Sequence, residues 1–455
     1  MDNQAYLDDL IARSRAAQKI VENYTQEQVD AICYAMAKAI YDNAEPLAKL
    51  AVEESRMGVY ENKVAKNQGK SRIIWNSLKG KKSVGIIRVL EEEGIVEIAK
   101  PMGVIGAATP CTNPIVTPMC NAMFAVKGRN TIIISPHPRS KRCTKAIKEL
   151  YDAEFEKLGV PKDIFLYIEE PSNELSALLM KNVDVVLATG GPGVVKAAYS
   201  SGKPSYGVGA GNVQGILDTD IDIKAAVKKI VASRTFDNGI ICSGDQTIIA
   251  PRCDYDAIIN EFKAQGAYYV EDKETVDKVR ETVFPNGVMN KNLVGQSALK
   301  LAEAAGLDVP ADTKMIIVKA AGCGKDDLFS KEKMCPLMSA YAYDTWEEAV
   351  AIANANLNVE GKGHSVSIQS NNKEHIEYAG EVLPVSRVLV NQICATQNGG
   401  AFSNSLSPTT TLGCGSWGNN SISENLSYYH LYNVTRVAYE KEGWSQPSDE
   451  EIWAK

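Results

Sequence analysis

The segment FDNGIICSGDQ, residues 236–246, sets Cys242 among small and turn-forming residues. Asp237-Asn238-Gly239 reads as a turn, and Gln246 opens the apolar run Thr247-Ile248-Ile249-Ala250. A thiolate presented by such a loop can attack a carbonyl carbon. The same loop suits a small apolar side chain, which is what most cysteines are. No histidine is near in the chain, so activation would have to come from dipoles or from a neighbouring charge. The residues alone leave both readings open.

Two glycine-rich stretches could approach a ligand. ATGGPGVVKAAYSSG follows the strand-like VDVV and leads into a helix. Gly190, Gly191 and Gly193 there could turn backbone N–H groups toward a phosphate at a helix N-terminus. The spacing is not GxGxxG, and a plain strand-to-helix turn explains it equally. GVGAGN, Gly207 to Asn212 with Gly209 inside it, precedes the strand-like VQGIL. No helix dipole would face a pyrophosphate, so it is not a dinucleotide fingerprint. It reads as a tight passage between extended segments, of the kind that brings backbone close to a reacting centre.

These residues need a frame to hold them. Residues 1 to about 80 read as helical, with a capping box at Thr25–Gln28 opening a long helix through about residue 53. Residues 84–99 read as two short strands around an acidic turn, a hairpin suited to an oligomer interface. From residue 103 strands and helices alternate: GVIGAAT, PIVTPMCNAMFAVKG, TIIIS, a helix over about 139–157, IFLYI, a helix over about 172–181, VDVVLA. That order predicts an α/β fold with a doubly wound parallel sheet. A second alternation, KMIIVKA, LMSAYAY, WEEAVAIANA, HSVSIQ, KEHIEYAG, RVLVN, predicts a second α/β domain. The expected division is 1–235, 236–425 and a C-terminal arm over 426–455.

The chain has 455 residues, more than one hydrophobic core usually supports. Its formal net charge of -7 argues against nucleic acid or an anionic membrane as partner. No apolar run is long enough to span a bilayer, and the N-terminus lacks a signal-peptide pattern, so a cytoplasmic location is expected. The ten cysteines include no CxxC and no zinc-like spacing, and the four histidines are scattered. Reduced thiols and no metal follow.

Taken in order, TPCTNPIVTPM, SPHPRSK, ATGGPGVVKAAYSSGKPSYGVGAGN, TFDNGIICSGDQ, KEKMCP, GKGHS and TLGCGSWGNNSISEN fill much of residues 100–435. With these motifs the chain resembles the CoA-acylating branch of the aldehyde dehydrogenase superfamily. The resemblance implies a Rossmann-like cofactor domain, a catalytic domain, an oligomerisation hairpin and a homodimer or tetramer. It implies Cys242 as the nucleophile and Asn113 as an oxyanion donor, although TNP is locally also a helix N-cap with proline at N1. Glu332 would hold the nicotinamide ribose, where the residues alone suggest an exposed acid in a lysine-rich loop. Thr189, Gly190, Gly193 and Gly209 would face the cofactor. Ser135, Pro136, His137 and Arg139 would lie by the adenine ribose. SPHPRSKR has no acid, and Arg139, Lys141 and Arg142 favour NADP(H) over NAD(H). The same cations could instead meet CoA phosphates or solvent.

Hydrolytic relatives carry a glutamate base in the segment matching YGVGAGN, where this chain has glycine near Gly207. Its absence favours acyl transfer to CoA over release of an acid. Within the branch, the resemblance points to succinyl-CoA and succinate semialdehyde. Acetaldehyde or butyraldehyde with NAD is the alternative. For the distal carboxylate, Lys70 and Ser243 are the candidates, against a reading of Lys70 as a solvated helix lysine.

Overall fold

The structure, a computed structural model, describes residues 2–455. Four helices open the chain: Asn3–Val21, Gln26–Asp42, Ala44–Ser55 and Tyr60–Leu78. The Thr25 hydroxyl accepts from the Gln28 amide, and the Gln28 side chain reaches back to the Thr25 amide, closing the expected capping box. The helix it opens stops at Asp42, not near 53. Pro46 has no N–H to give to the carbonyl of Asp42 and its ring would crowd that turn, so a new helix starts at Ala44 with the proline in its first turn. The Asn43 amide closes the preceding helix on the Ala39 carbonyl, at 2.9 Å.

The first parallel sheet runs Phe165–Tyr167, Thr131–Pro136, Val104–Thr109, Val185–Thr189, Ser205–Val208. Its inner strands are buried on both faces, as their near-continuous apolar runs require. Helix Val116–Lys127 is buried along its whole length between this sheet and the N-terminal helices, and Lys127 there pairs with Asp30. The strand order reverses between Val104–Thr109 and Val185–Thr189. A crevice opens outside the carboxyl ends at such a switch point.

The second sheet has seven parallel strands in the order Ala267–Val270, Met315–Lys319, Leu337–Tyr343, Thr247–Pro251, Gln214–Leu217, Gly363–Gln369, Val385–Val390. Gln214–Leu217, expected in the first domain, pairs here with Gly363–Gln369 and touches Thr247–Pro251. Helix Ile223–Thr235 packs Val227 and Ile230 on the same sheet. The division between the sheets therefore falls near residue 210 rather than 235. Four buried residues are too few for periodicity to assign a strand to one sheet or the other.

The hairpin Gly85–Leu90 and Ile95–Pro101 turns at Glu91–Gly94, as expected, and its second strand takes Tyr432–Ala438 as an antiparallel neighbour. The C-terminal arm thus completes a three-stranded sheet, while Leu426 and Leu431 are buried in the core of the first domain.

Candidate active site

Cys242 sits where the two domains face each other. It precedes strand Thr247–Pro251, so it lies at the amino end of the second sheet and looks toward the carboxyl ends of the first. The loop leading to it is unusual. Asp237, Asn238 and Gly239 take φ of 53°, 54° and 67°, three left-handed residues in succession. The first two are not glycine and need outside support to stay there. Asp237 supplies it with a fully buried carboxylate. Oδ1 accepts from the Val59 amide at 2.8 Å, and Oδ2 accepts from Lys63 Nζ at 3.1 Å and Lys66 Nζ at 2.6 Å. These cations hold the Asp237 carboxyl below the usual carboxylate range against the opposing effect of burial.

Backbone presses on Cys242 from the GVGAGN stretch. A Cβ on Gly211 would lie 1.9 Å from the Cys242 carbonyl oxygen and 2.8 Å from its Cβ, so no side chain fits. The stretch joins two strands, Ser205–Val208 and Gln214–Leu217, without a helix. The reading of GVGAGN as a close passage, not a phosphate loop, holds. A Cβ at Gly207 would meet Tyr199 and Val195, whereas one at Gly209 would meet nothing within 4 Å.

A cavity of about 420 Å³ opens on the thiol, and Asn113, Lys66, Lys70, Phe236 and Thr410 share its wall. Burial pushes the Cys242 thiol up to about 12, with Glu332 and Cys414 adding to the rise and the Arg387 guanidinium opposing it. Without a ligand the sulfur is protonated at neutral pH. Iodoacetamide labelling of the Cys242 peptide in the ligand-free protein should therefore climb about tenfold per pH unit from pH 7 to 10. Mass spectrometry separates it from the exposed Cys253. A plateau below pH 9 would show a thiolate stabilised by the protein alone.

Asn113 is not a helix cap. The helix begins at Val116, and the Asn113 carbonyl takes the Thr117 amide at 3.3 Å. Its side chain is free for the cavity, where Oδ1 accepts from Lys66 Nζ at 2.7 Å. Among the described residues neither Asn113 Nδ2 nor the Cys242 amide donates to another residue. Two unpaired donors thus stand near the sulfur, the arrangement that a developing oxyanion needs.

Glu332 is partly buried, not an exposed loop acid. Its Oε1 accepts from the Gly211 amide at 3.2 Å, one step from Cys242. Burial and the neighbouring Glu360 push its carboxyl up to about 8, so it is mostly protonated at pH 7 and a poor base there.

Thr189, Gly190 and Gly193 gather at the carboxyl end of Val185–Thr189 and the start of helix Pro192–Tyr199. A Cβ on Gly191 or Gly193 would meet nothing within 4 Å, so the turn is open beside the helix N-terminus, while the Gly190 N–H donates to the Val208 carbonyl at 3.4 Å. Ser135 and Pro136 end strand Thr131–Pro136, with Ser135 Oγ donating to Ser176 Oγ at 2.7 Å while the Ser176 hydroxyl donates to the Ser172 carbonyl. The donor types of these groups fit a dinucleotide.

Other expectations are changed by long-range partners. The Arg139 guanidinium bonds the Ser55 carbonyl, and His137 Nδ1 accepts from the Arg139 amide at 3.0 Å. Lys141 pairs with Glu170 at 2.6 Å. An acid does reach this corner: Glu54 accepts from the Arg142 and Cys143 amides at 2.7 and 2.9 Å, capping helix Lys141–Leu158. It lies 88 residues away in sequence from Arg142, outside any local motif. Ser243 spends its hydroxyl proton on the Ala395 carbonyl at 2.9 Å and is not free to hold a carboxylate.

Lys70 is no solvated lysine. Its Nζ donates to the carbonyls of Gly399 and Thr409 at 2.9 and 3.2 Å, and among the described residues no carboxylate pairs with it. Burial lowers its ammonium to about 8. Two residues were missed. His364, in GKGHS, is fully buried with both ring nitrogens unpartnered, and burial pushes it down to about 3, so it is neutral. Arg387, in RVLVN, bonds the His364 carbonyl at 2.8 Å. The motif GKGHS was the available signal for the first; nothing local marked the second.

The fold and cleft define a two-domain α/β protein with a thiol held between a switch-point crevice and the amino ends of a second parallel sheet. The chain belongs to the aldehyde dehydrogenase family, whose family model matches residues 1–282. It is 54% identical over 453 residues to the succinate-semialdehyde dehydrogenase (acetylating) of Clostridium kluyveri, covering 100% of both chains. It is 41% identical to the sulfoacetaldehyde dehydrogenase of an Acholeplasma species, over 97% of this chain and 92% of that one. The acetylating aldehyde dehydrogenase of Geobacillus thermoglucosidasius superposes with a TM-score of 0.93 at 38% identity, covering 98% of each chain. No described helix is long and apolar enough to cross a membrane.

Proposed function

We propose that this enzyme reduces succinyl-CoA to succinate semialdehyde and free CoA, reversibly, with NADPH, carrying the acyl group on Cys242. The observation that carries the substrate is Lys70, a half-buried lysine on the cavity of the thiol whose ammonium has no carboxylate partner among the described residues. A buried cation without an anion is costly, and a substrate carboxylate satisfies it. Two relatives named for succinate semialdehyde and sulfoacetaldehyde, both anionic aldehydes, support the same reading.

Cys242 Sγ attacks the thioester carbonyl of succinyl-CoA, and CoA leaves as its thiol. Asn113 Nδ2 and the Cys242 amide hold the oxygen while it carries negative charge. Glu332, Thr189, Gly190, Gly193 and Gly209 would hold the dinucleotide, with Ser135, Pro136 and His137 toward its adenosine end. When bound, the dinucleotide supplies the hydride that turns the cysteinyl thioester into a hemithioacetal. Collapse of that species releases the aldehyde, and one proton taken up from solvent restores the Cys242 thiol. In the reverse direction CoA, not water, accepts the acyl group. No acid occupies residues 205–212, and Glu332 is mostly protonated at neutral pH.

Arg142, whose side chain makes no ion pair among the described residues, supports NADPH through its cation near the ribose end. Glu54 favours a second reading, NADH, because a carboxylate there suits a ribose hydroxyl better than a phosphate. Exposed Ile86 and Val89 on the hairpin support a homo-oligomer built through the three-stranded sheet.

The test mixes the protein with succinate semialdehyde and NADP+ and follows NADPH absorbance, first without CoA and then with it. Turnover is expected only after CoA is added, faster than with NAD+ and faster than with acetaldehyde. Sustained turnover without CoA would mean that water reaches the thioester and would overturn the acylating reading.

A further inference from the structure

We propose that Lys66 is a positioning residue that sets the Asn113 amide for the oxyanion, and that Asp237 holds Lys66 in place. This rests on the reading of Asn113 as the oxyanion donor.

A lysine ammonium has only protons to give. Its Nζ, 2.7 Å from Asn113 Oδ1, therefore identifies that atom as the acceptor and turns the NH2 end the other way. The terminal torsion of an asparagine is broad and close to two-fold, so an amide with no partner would present its oxygen to the cavity as readily as its NH2. An oxygen there would repel the developing oxyanion. Among the described residues Lys66 is the sole group that bonds the Asn113 side chain.

Lys66 is itself fixed. It is 9% exposed, its Nζ lies 2.6 Å from Asp237 Oδ2, and the ring of Phe236 stands 5.9 Å away. Asp237 is five residues before Cys242, in the left-handed turn that presents the thiol. One carboxylate thus references both partners of the reaction. It shapes the loop of the nucleophile, and through Lys66 it orients the donor that meets the oxygen. The ammonium also draws electron density from the amide oxygen, which makes the N–H bonds better donors.

Sequence spacing hid this link. Lys66 and Asn113 are 47 residues apart, and Lys66 and Asp237 are 171 apart. Lys66 lines the cavity, and among the described residues its ammonium bonds only Asn113 and Asp237, so a purely structural role is the alternative to exclude.

The test compares Lys66→Met, Lys66→Arg, Asn113→Ala and the double variant Lys66→Met/Asn113→Ala in the succinyl-CoA reduction assay. Loss of the Asn113 donor is expected to lower kcat roughly 10²- to 10³-fold. Lys66→Met, which leaves the donor present but unset, is expected to lower kcat roughly tenfold to a hundredfold with KM within about twofold. Lys66→Arg keeps donors for both partners and is expected to recover most of kcat. Added to Asn113→Ala, Lys66→Met should cost nothing more, because the group it orients is gone. In Lys66→Met the thermal midpoint should fall, because the buried Asp237 carboxylate loses one of its two ammonium partners. Iodoacetamide labelling of Cys242 should stay close to wild type, because Val59 and Lys63 still hold Asp237.

A Lys66→Met enzyme with wild-type kcat, beside a slow Asn113→Ala enzyme, overturns the positioning role and leaves Asn113 standing. An Asn113→Ala enzyme with wild-type kcat removes the reading beneath it. Equal losses from Lys66→Met in both backgrounds, or altered Cys242 labelling, mark a structural clamp and overturn the proposal. Should Lys66→Met not fold, an Arg variant with a Met-like loss of kcat and unchanged stability does the same.

Discussion

Replacing Cys242 by alanine is expected to lower succinyl-CoA reduction by roughly 10⁴-fold or more, since the acyl group then has no sulfur to occupy. The variant should fold. The tight contact with Gly211 is made to the Cys242 carbonyl and Cβ, both of which alanine keeps. Neighbouring thiols cannot take over. Cys394 and Cys414 are buried, and burial raises both thiols above their ordinary range. NADPH binding, followed by fluorescence, should persist, because the alanine removes no group proposed to hold the cofactor. In the wild-type protein, succinyl-CoA without NADPH should leave an acyl adduct on the Cys242 peptide, seen by mass spectrometry and missing from the variant. Undiminished turnover in Cys242→Ala would remove nucleophilic catalysis from the account.

What the chain discloses about this site divides by distance along it. The turn before Cys242 was legible because Asp237-Asn238-Gly239 writes it in three residues, whereas the role of the thiol rested on the family resemblance. The strand-helix alternation around residues 103–199 was legible because apolar runs and glycines mark each element where it stands. The domain division was misjudged because Gln214–Leu217 is short and uniformly buried, and only its neighbours, 33 to 152 residues later, decide its sheet. Asn113 was found, but its local reading as a cap was wrong. The pull of Lys66 on its side chain comes from a different helix. Glu54 beside the 141–158 helix was invisible for the same reason. Ser243 looked like a free hydroxyl until the Ala395 carbonyl came to meet it. A residue's type announces what it can donate or accept; what remains unspent is settled by partners that arrive from elsewhere in the fold.

Lys70 shows what an unspent charge predicts. Two of its three protons go to the Gly399 and Thr409 carbonyls, and a Cβ at position 399 would stand 2.8 Å from Nζ, so glycine there lets the ammonium dock. The third proton and the net charge have no protein partner among the described residues. Lys70→Met keeps the length of the chain and removes the cation. Truncating one side of a buried charge pair costs about 2–5 kcal/mol, so kcat/KM for succinate semialdehyde should fall roughly 30-fold to several-thousand-fold. The value for butyraldehyde, which has no distal carboxylate, should change by less than about threefold. Selectivity, the ratio of the two, is the quantity to measure. Its pH dependence follows from the same ammonium, which burial lowers to about 8 in the ligand-free site. Below that pH Lys70 is charged and prefers the anionic aldehyde. As pH rises through about 8 it becomes neutral, and KM for succinate semialdehyde should climb while KM for butyraldehyde holds. In Lys70→Met the two substrates should show parallel profiles. A variant that keeps the wild-type preference for the acidic aldehyde would place its carboxylate somewhere other than Lys70.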